Sequence, residues 1–577
     1  MASSLLASLL ILSALLSGQH FGGSSGSNVR LPSAALDPTF GCGGVVLTSG
    51  TSLNRAQAQS SALQTNGDVI VAGSDKVGYD TEEFALARFL PEGSLDPSFG
   101  SGGMVLTPVG TFREGIRKVV VQPDGAIVAI GWTMNEAKTE FVAIARYLPD
   151  GELDTTFGDG GIETGPPLET ADVVVGGGLE PDGDILALVS RESGSIAVYG
   201  FTSDGEPDAS FGSLGVVTTT GGMAGAAAGA MVVQADGRFL LSGTTWGDGS
   251  YHFMLERFEA TGSPDPAFGT DGIATLPSST AEAAGAFALQ SDGSIVAIGY
   301  GGPLAVNQQQ VIRFDSHGDL DTSFGQGGNS VVTFGHFVWA TGVAVDENDR
   351  IILATEAQQR AIVTFFATFR LSSDGTLDPR FGTRGVLGTR LYDTGVTDAA
   401  PIAASDGTIV VTGTREDSQF GGFAVIRYET TGTVPQGHCV DAAVERPDGS
   451  YEGVGQVSPN GALQHRTVKL TAGQSADVRL RLNDVGVVPT SVVVGTDAWN
   501  IPDWLGVQCF GHGSDVMDAT QSDSFETAIS PGSYSSVRFH LWLDRPAASG
   551  ETFRGPVRVF STWGQQVDTV VLRVIVR

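Results

Sequence analysis

Leu36-Asp37-Pro38-Thr39-Phe40-Gly41 recurs as Leu95-Asp96-Pro97-Ser98-Phe99-Gly100, and in looser form around Phe157, Phe211, Phe268, Phe324 and Phe381, each followed by Gly. The spacings between these Phe residues are 59, 58, 54, 57, 56 and 57. So even a period means that one supersecondary unit is built again and again, each copy burying its apolar surface against the next.

Two further markers travel with the turn. Gln122-Pro123-Asp124-Gly125 runs into Ala126-Ile127-Val128-Ala129-Ile130-Gly131, with counterparts at Asn66-Gly67, Asp182-Gly183, Asp236-Gly237, Asp292-Gly293, Asn348-Asp349 and Asp406-Gly407. Asp-Gly or Asn-Gly between apolar runs is a hairpin signal that calls for positive φ at both turn residues. A third apolar run ends in Arg, as in Phe84-Ala85-Leu86-Ala87-Arg88-Phe89, and Arg146, Arg257, Arg313, Arg370 and Arg427 continue the series. Gly200 breaks it. Each period therefore holds a small-residue strand, its hairpin partner, the Arg-bearing strand and a fourth strand after the Phe-Gly turn. Four strands in about 57 residues fit a β-propeller blade better than a solenoid coil.

The array opens on a lone turn and fourth strand, Leu36 to Thr48, and closes on a first, second and third strand, about Val396 to Tyr428. Together the fragments make one blade. A seven-bladed propeller closed by its N-terminal strand is the expected fold, with Val45 to Thr48 pairing the last third strand and only short edges left open.

These runs resemble the bacterial delta-60 repeat family, with its "FALARF" and "LDPSFGSGG" segments, over Leu36 to about Gly432; they are more distantly similar to NHL-type blades. The resemblance implies a propeller on an exported bacterial protein and attaches no reaction to it. From about Gly437 the pattern changes. Ala476-Asp477-Val478-Arg479-Leu480-Arg481-Leu482 alternates strictly, as does Val537-Arg538-Phe539-His540-Leu541, which is the period of half-buried strands. With Pro502-Asp503-Trp504-Leu505, Ser530-Pro531-Gly532 and Gly555-Pro556-Val557-Arg558-Val559, this segment resembles the Ig-like β-sandwich modules that trail bacterial surface proteins.

The expected organisation is a signal peptide over 1–18, a Gly/Ser-rich spacer over 19–35, the propeller over 36–432 and the Ig-like sandwich over 437–577. The apolar run Leu5 to Leu16 is short for a membrane span and suits an export signal, which places the chain outside the cytoplasm: secreted, periplasmic or on the cell surface. Sixty-four acidic against 32 basic residues give a net charge of −32, which repels nucleic acid and anionic lipid. Three Cys are too few for a disulfide framework; Cys439 and Cys509 are a candidate pair, and Cys42 stands where other repeats carry Ser, Asp, Thr or Gln.

Chemistry is hard to find. The eight His include no pair at ligand spacing, and no nucleophile elbow, phosphate loop or dinucleotide fingerprint stands in a strand–turn–helix context. The repeated Asp comes one per copy beside Pro, unlike a calcium loop, so turn capping or pairing with the repeated Arg accounts for it. No cofactor and no metal are expected. The repeated Arg is expected to tie neighbouring blades together, and the repeated Phe to fill the core between them. The Asp-Gly and Phe-Gly turns share one face of the disc. The other face carries the connections that vary, where function on a rigid scaffold concentrates. Arg113, Trp132, Trp246, Tyr251, His336 and Trp339 on that face are the candidate ligand contacts. The expectation is a non-enzymatic binder of a protein or glycan. The alternative is a propeller hydrolase or lyase whose carboxylates meet at the channel mouth, a convergence that linear spacing cannot reveal.

Overall fold

The computed structural model describes side chains for 56–78, 81–221 and most of 225–428, with parts of 37–47; beyond residue 439 it describes strands alone. The expected leader and spacer, His336 and Cys439 lie outside the described residues, and of Trp339 and Cys509 only the strand is described. No helix of the described residues is long and apolar enough to cross a membrane.

The described structure is all β. Blade 1 runs Gln57–Leu63, Val69–Lys76, Glu82–Phe89 and Met104–Thr107, paired antiparallel in that order, and blades 2 to 6 repeat the plan. Their inner strands are Arg113–Val121, Val173–Leu179, Gly225–Val233, Ala283–Leu289 and Phe337–Val345, and that of blade 7 is Gly395–Ala403. Each inner strand packs against the next, and the seventh returns to the first. The expected closure is observed: Val45, Val46 and Leu47 pair with Ile426, Val425 and Ala424 in the third strand of blade 7. Beyond the propeller, strands between Val440 and Val576 form one further sheet and extend the sheet of blade 7, which they join where Leu47 pairs with Gln566.

The core lies between blades. Ile70, Phe84 and Phe99 of blade 1 interdigitate with Ile116, Ile127 and Tyr147 of blade 2, and comparable clusters separate the other blades. All seven repeat Phe residues are buried, none more than 3% exposed. Hairpin geometry departs from expectation. Among the described residues only the Gly of each Asp-Gly or Asn-Gly reaches positive φ, at 92° for Gly67 and 91° for Gly125. The turn closes from Gly125 N–H to the Gln122 carbonyl at 2.9 Å while Gln122 N–H bonds the Ala126 carbonyl at 2.8 Å. This is a three-residue loop ending in a left-handed residue, which needs one such position rather than two. The preceding Asp caps it: Asp124 Oδ1 accepts the Ala126 N–H at 3.0 Å.

The repeated Arg does tie blades together. Arg146 Nε donates to Asp154 of its own turn at 2.7 Å while Nη1 reaches the Ser203 carbonyl of blade 3 at 2.6 Å. Arg257 repeats this with Asp265 and Ser316, Arg313 with Asp321 and Ser373, Arg88 with Asp96 and Pro149, and Arg427 with Asp37 and Pro91. Each guanidinium also lies over the Phe of its own turn, at 4.6 Å for Arg257 above Phe268. That ring in turn abuts a glycine of the next blade, where a Cβ on Gly318 would come within 2.9 Å of it.

Candidate functional site

The face carrying these turns is occupied by interblade bonding, so recognition chemistry is sought on the opposite face and in the channel. Of the sequence candidates, Trp246 and Tyr251 are brought together. They are cross-strand partners at the tip of the blade 4 hairpin, with ring centroids 4.5 Å apart in an edge-on arrangement. Both rings face solvent, Trp246 at 41% and Tyr251 at 37% exposure. Neighbouring Ser250 Oγ lies 3.1 Å from His252 Nε2. The structure does not bring Trp132 to this pair: its half-buried indole packs on the core between blades 2 and 3 and lies beside Gly115. Arg113 bridges to Glu82 at 2.8 Å on the boundary of blades 1 and 2.

At that same boundary stands a carboxylate group that the sequence reading missed. Asp75 and Glu83 sit directly opposite each other on adjacent strands of blade 1, with Asp75 fully buried. Facing carboxylates repel. Burial, then the Asp75 charge, pushes the Glu83 carboxyl above its ordinary range. Glu114, 1% exposed on the inner strand of blade 2, accepts N–H bonds from Val109 at 2.7 Å and Gly110 at 2.5 Å, and the Thr133 hydroxyl at 3.2 Å. Burial raises its pKa more than these bonds lower it. Glu114 thus orders the connection between blades 1 and 2, and Glu83 lies within electrostatic reach. Three acids from three strands give no motif; the only sequence signal was an apolar run ending in a charge.

The channel wall is not purely aliphatic. Every inner strand shifts register against its partner at the same level, between Ala58 and Ser60, Ile116 and Lys118, Val174 and Gly176, and onward round the ring. Such bulges re-aim side chains. The displaced Gln59 and Arg117 meet, Nη1 to Oε1 at 3.0 Å. Lys118 follows on the same strand, and burial lowers its pKa.

On the turn face, blade 3 differs from the others. Glu180, Asp182 and Asp184 place oxygens within 4.8 Å of one another, the one set among the described residues with the spacing to hold a metal ion. Burial, followed by the charges of Asp182, Asp184 and Asp208, raises Glu180 to about 7. The position equivalent to Glu180 in blade 5 is Gln290, which accepts a bond from Arg313 at 3.2 Å. In blade 3 Gly200 stands where that guanidinium would originate.

Comparison with known proteins follows this pattern. No curated protein matches the chain. Among solved structures, the NanB sialidase from Streptococcus pneumoniae is 11% identical over 66% of this chain and 70% of its own, with a TM-score of 0.31. A PL25 polysaccharide lyase, an ulvan lyase, is 10% identical over 66% and 93%, with a TM-score of 0.32. A GH43_1 enzyme from Xanthomonas citri is 9% identical over 70% and 92%, with a TM-score of 0.25. The chain spans only 27% of the length of another match, a family 123 glycoside hydrolase from Clostridium perfringens. The expectation that the chain is not an enzyme is corrected: among the solved structures similar to it are a sialidase, a lyase and glycoside hydrolases, and the fold is consistent with an enzyme. That expectation rested on missing motifs, and a ring assembles carboxylates from separate strands without one. At these identities and TM-scores the likeness carries no reaction or substrate. A family model matches residues 64–99, 122–157, 234–268, 290–324, 347–381 and 404–434 and passes over the blade that lacks its Arg. The matched segments are similar to the family described as "Domain of unknown function (DUF5122) beta-propeller".

Proposed function

We propose that the propeller is a recognition scaffold that binds a glycan or protein through its variable face, with Trp246 and Tyr251 of blade 4 as the principal contact. One observation carries this reading: two large aromatic rings, locked edge to face at 4.5 Å, are held in solvent on a rigid hairpin. Burying such a pair against an apolar sugar face or a partner's side chain recovers contact area at little cost in ordering, since the rings already brace each other. On this reading residues 1–18 direct export, and the C-terminal strands form an Ig-like module that spaces the propeller from its attachment.

A second reading, a hydrolase or lyase, is favoured by the Asp75, Glu83 and Glu114 group, in which burial raises the carboxyls of Glu83 and Glu114, the direction acid catalysis requires. Both are tested on one panel of soluble neutral and acidic polysaccharides. Trp246→Ala/Tyr251→Ala should abolish retention on an affinity gel while leaving the fold intact; unchanged retention would sink the aromatic assignment. Reducing-end or unsaturated-product assays separate the second reading, since turnover lost in Glu83→Gln but kept in the aromatic variant would favour it.

A further inference from the structure

The junction between blades 3 and 4 lacks what joins its neighbours. Five other junctions carry an Arg bond from one blade to a carbonyl of the next. Here Gly200 supplies no side chain, and Phe211 has settled against it: a Cβ on Gly200 would lie 2.7 Å from Phe211 Cγ. The ring does not cover the turn glycine of the next blade, so that Gly262 faces Val217 where Gly318 and Gly375 face Phe268 and Phe324, although it still packs on Phe239 of blade 4 with centroids 5.9 Å apart. Backbone bonding survives, Gly212 N–H to the Thr261 carbonyl at 3.0 Å.

The same junction buries an acid. Glu256, 3% exposed, stands where other blades place Ala87, Ala145, Ile312, Phe369 and Ile426. One oxygen accepts the Thr219 hydroxyl of blade 3 at 3.0 Å; the other is buried without a hydrogen-bond partner among the described residues. Its cross-strand partners are Leu241 and Ile273, and the cluster around it is Val217, Met231, Met254 and Phe258. No titratable group faces it from these elements. In blades 2 and 7 a residue two positions further along the strand makes the comparable contact. Tyr147 and Tyr428 bring neutral hydroxyls to Thr107 and Thr389, which end their outer strands as Thr219 does. In blade 4 that residue is Phe258, and the Thr219 hydroxyl is met instead by Glu256, a group that ionises. On the turn face of the same junction Glu180, Asp182, Asp184 and Asp208 are left without a guanidinium.

We infer that the seam between blades 3 and 4 is a proton-controlled opening point of the ring, closed while Glu256 holds its proton and loosened as it ionises. Burial raises Glu256 to about 7, so the change falls between the ordinary carboxyl range and neutrality. A closed disc that loosens at one place exposes its channel wall there and nowhere else.

Hydrogen exchange of the full chain, followed at pH 5 and pH 8 and corrected for intrinsic rates, tests this. Opening of Ile196–Phe201 and Ser250–Phe258 should rise on the order of 100-fold relative to Glu140–Tyr147. In Glu256→Gln most of that rise should vanish. A rise spread evenly over all blades, or one that persists in this variant, overturns the inference. Should the variant fail to fold, Thr219→Val removes the hydrogen bond that favours the charged carboxyl and should move the midpoint upward; an unmoved midpoint overturns it equally.

Discussion

Replacing Arg427 with Met removes the bond that closes the ring. Arg427 reaches back 390 positions to Asp37 at 2.7 Å, donates to the Pro91 carbonyl and covers the Phe40 ring at 4.6 Å. The partner carboxylate is almost wholly enclosed, its side chain 2% exposed against 9% for Arg427. Removing the cation leaves a buried charge uncompensated, which costs about 3–5 kcal/mol, and loss of the guanidinium–ring contact adds roughly 1 kcal/mol. Arg313→Met is the comparison. It deletes the same bonds, but its pair is 14% and 22% exposed, so water relieves much of the loss and roughly 1–2 kcal/mol is expected. Urea titrations give the ranking from the shift in midpoint. Asp37→Leu/Arg427→Met should recover most of the loss, because the stranded charge goes with its partner. An Arg427 variant no worse than Arg313→Met, or a double variant no better than the single, would refute the reasoning.

The raised Glu256 sets a pH dependence of stability. Its carboxyl holds a proton more tightly folded than unfolded, so its contribution is complete below about 4.5 and is lost as pH rises to about 7. That window corresponds to about 3 kcal/mol, and urea midpoints of Glu256→Gln should be correspondingly flatter across it. Glu114→Ala strands the Val109 and Gly110 N–H groups; a loss of about 2–3 kcal/mol and faster proteolysis at 108–112 are expected. Trp246→Ala/Tyr251→Ala should shift stability by less than about 1 kcal/mol, as exposed side chains do, so circular dichroism melts will separate lost binding from lost structure.

The periodic part of the molecule was legible because a repeated turn needs the same residues each time. Asp96 illustrates why: it caps the Ser98 N–H at 2.9 Å and accepts from Arg88 at 2.8 Å, two local jobs at fixed offsets. The closing strand could likewise be inferred from an unpaired fragment at each end. What escaped were features made by juxtaposition. The bulge ring leaves no composition signal, since its displaced residues include Gln59, Arg117 and Val175. Asp75, Glu83 and Glu114 lie on three strands of two blades. Gly200 was visible as a break in the Arg series, yet only packing revealed that Phe211 settles against it. Trp132 looked like Trp246 in sequence; burial against the neighbouring blade separates them.

The pairing of Val45–Leu47 with Ala424–Ile426 has a consequence for synthesis. The first strand made must await the last third strand, almost four hundred residues later. Through that interval the closing segment has no partner, and the growing array presents a raw sheet edge to its surroundings. The final joining is made of contacts of very long sequence separation, which slow folding by topology. Six blades can assemble as the chain emerges, but the disc exists only once the seventh is complete. Truncation before Tyr428 should therefore yield a sticky open crescent, whereas truncation beyond residue 439 spares the ring.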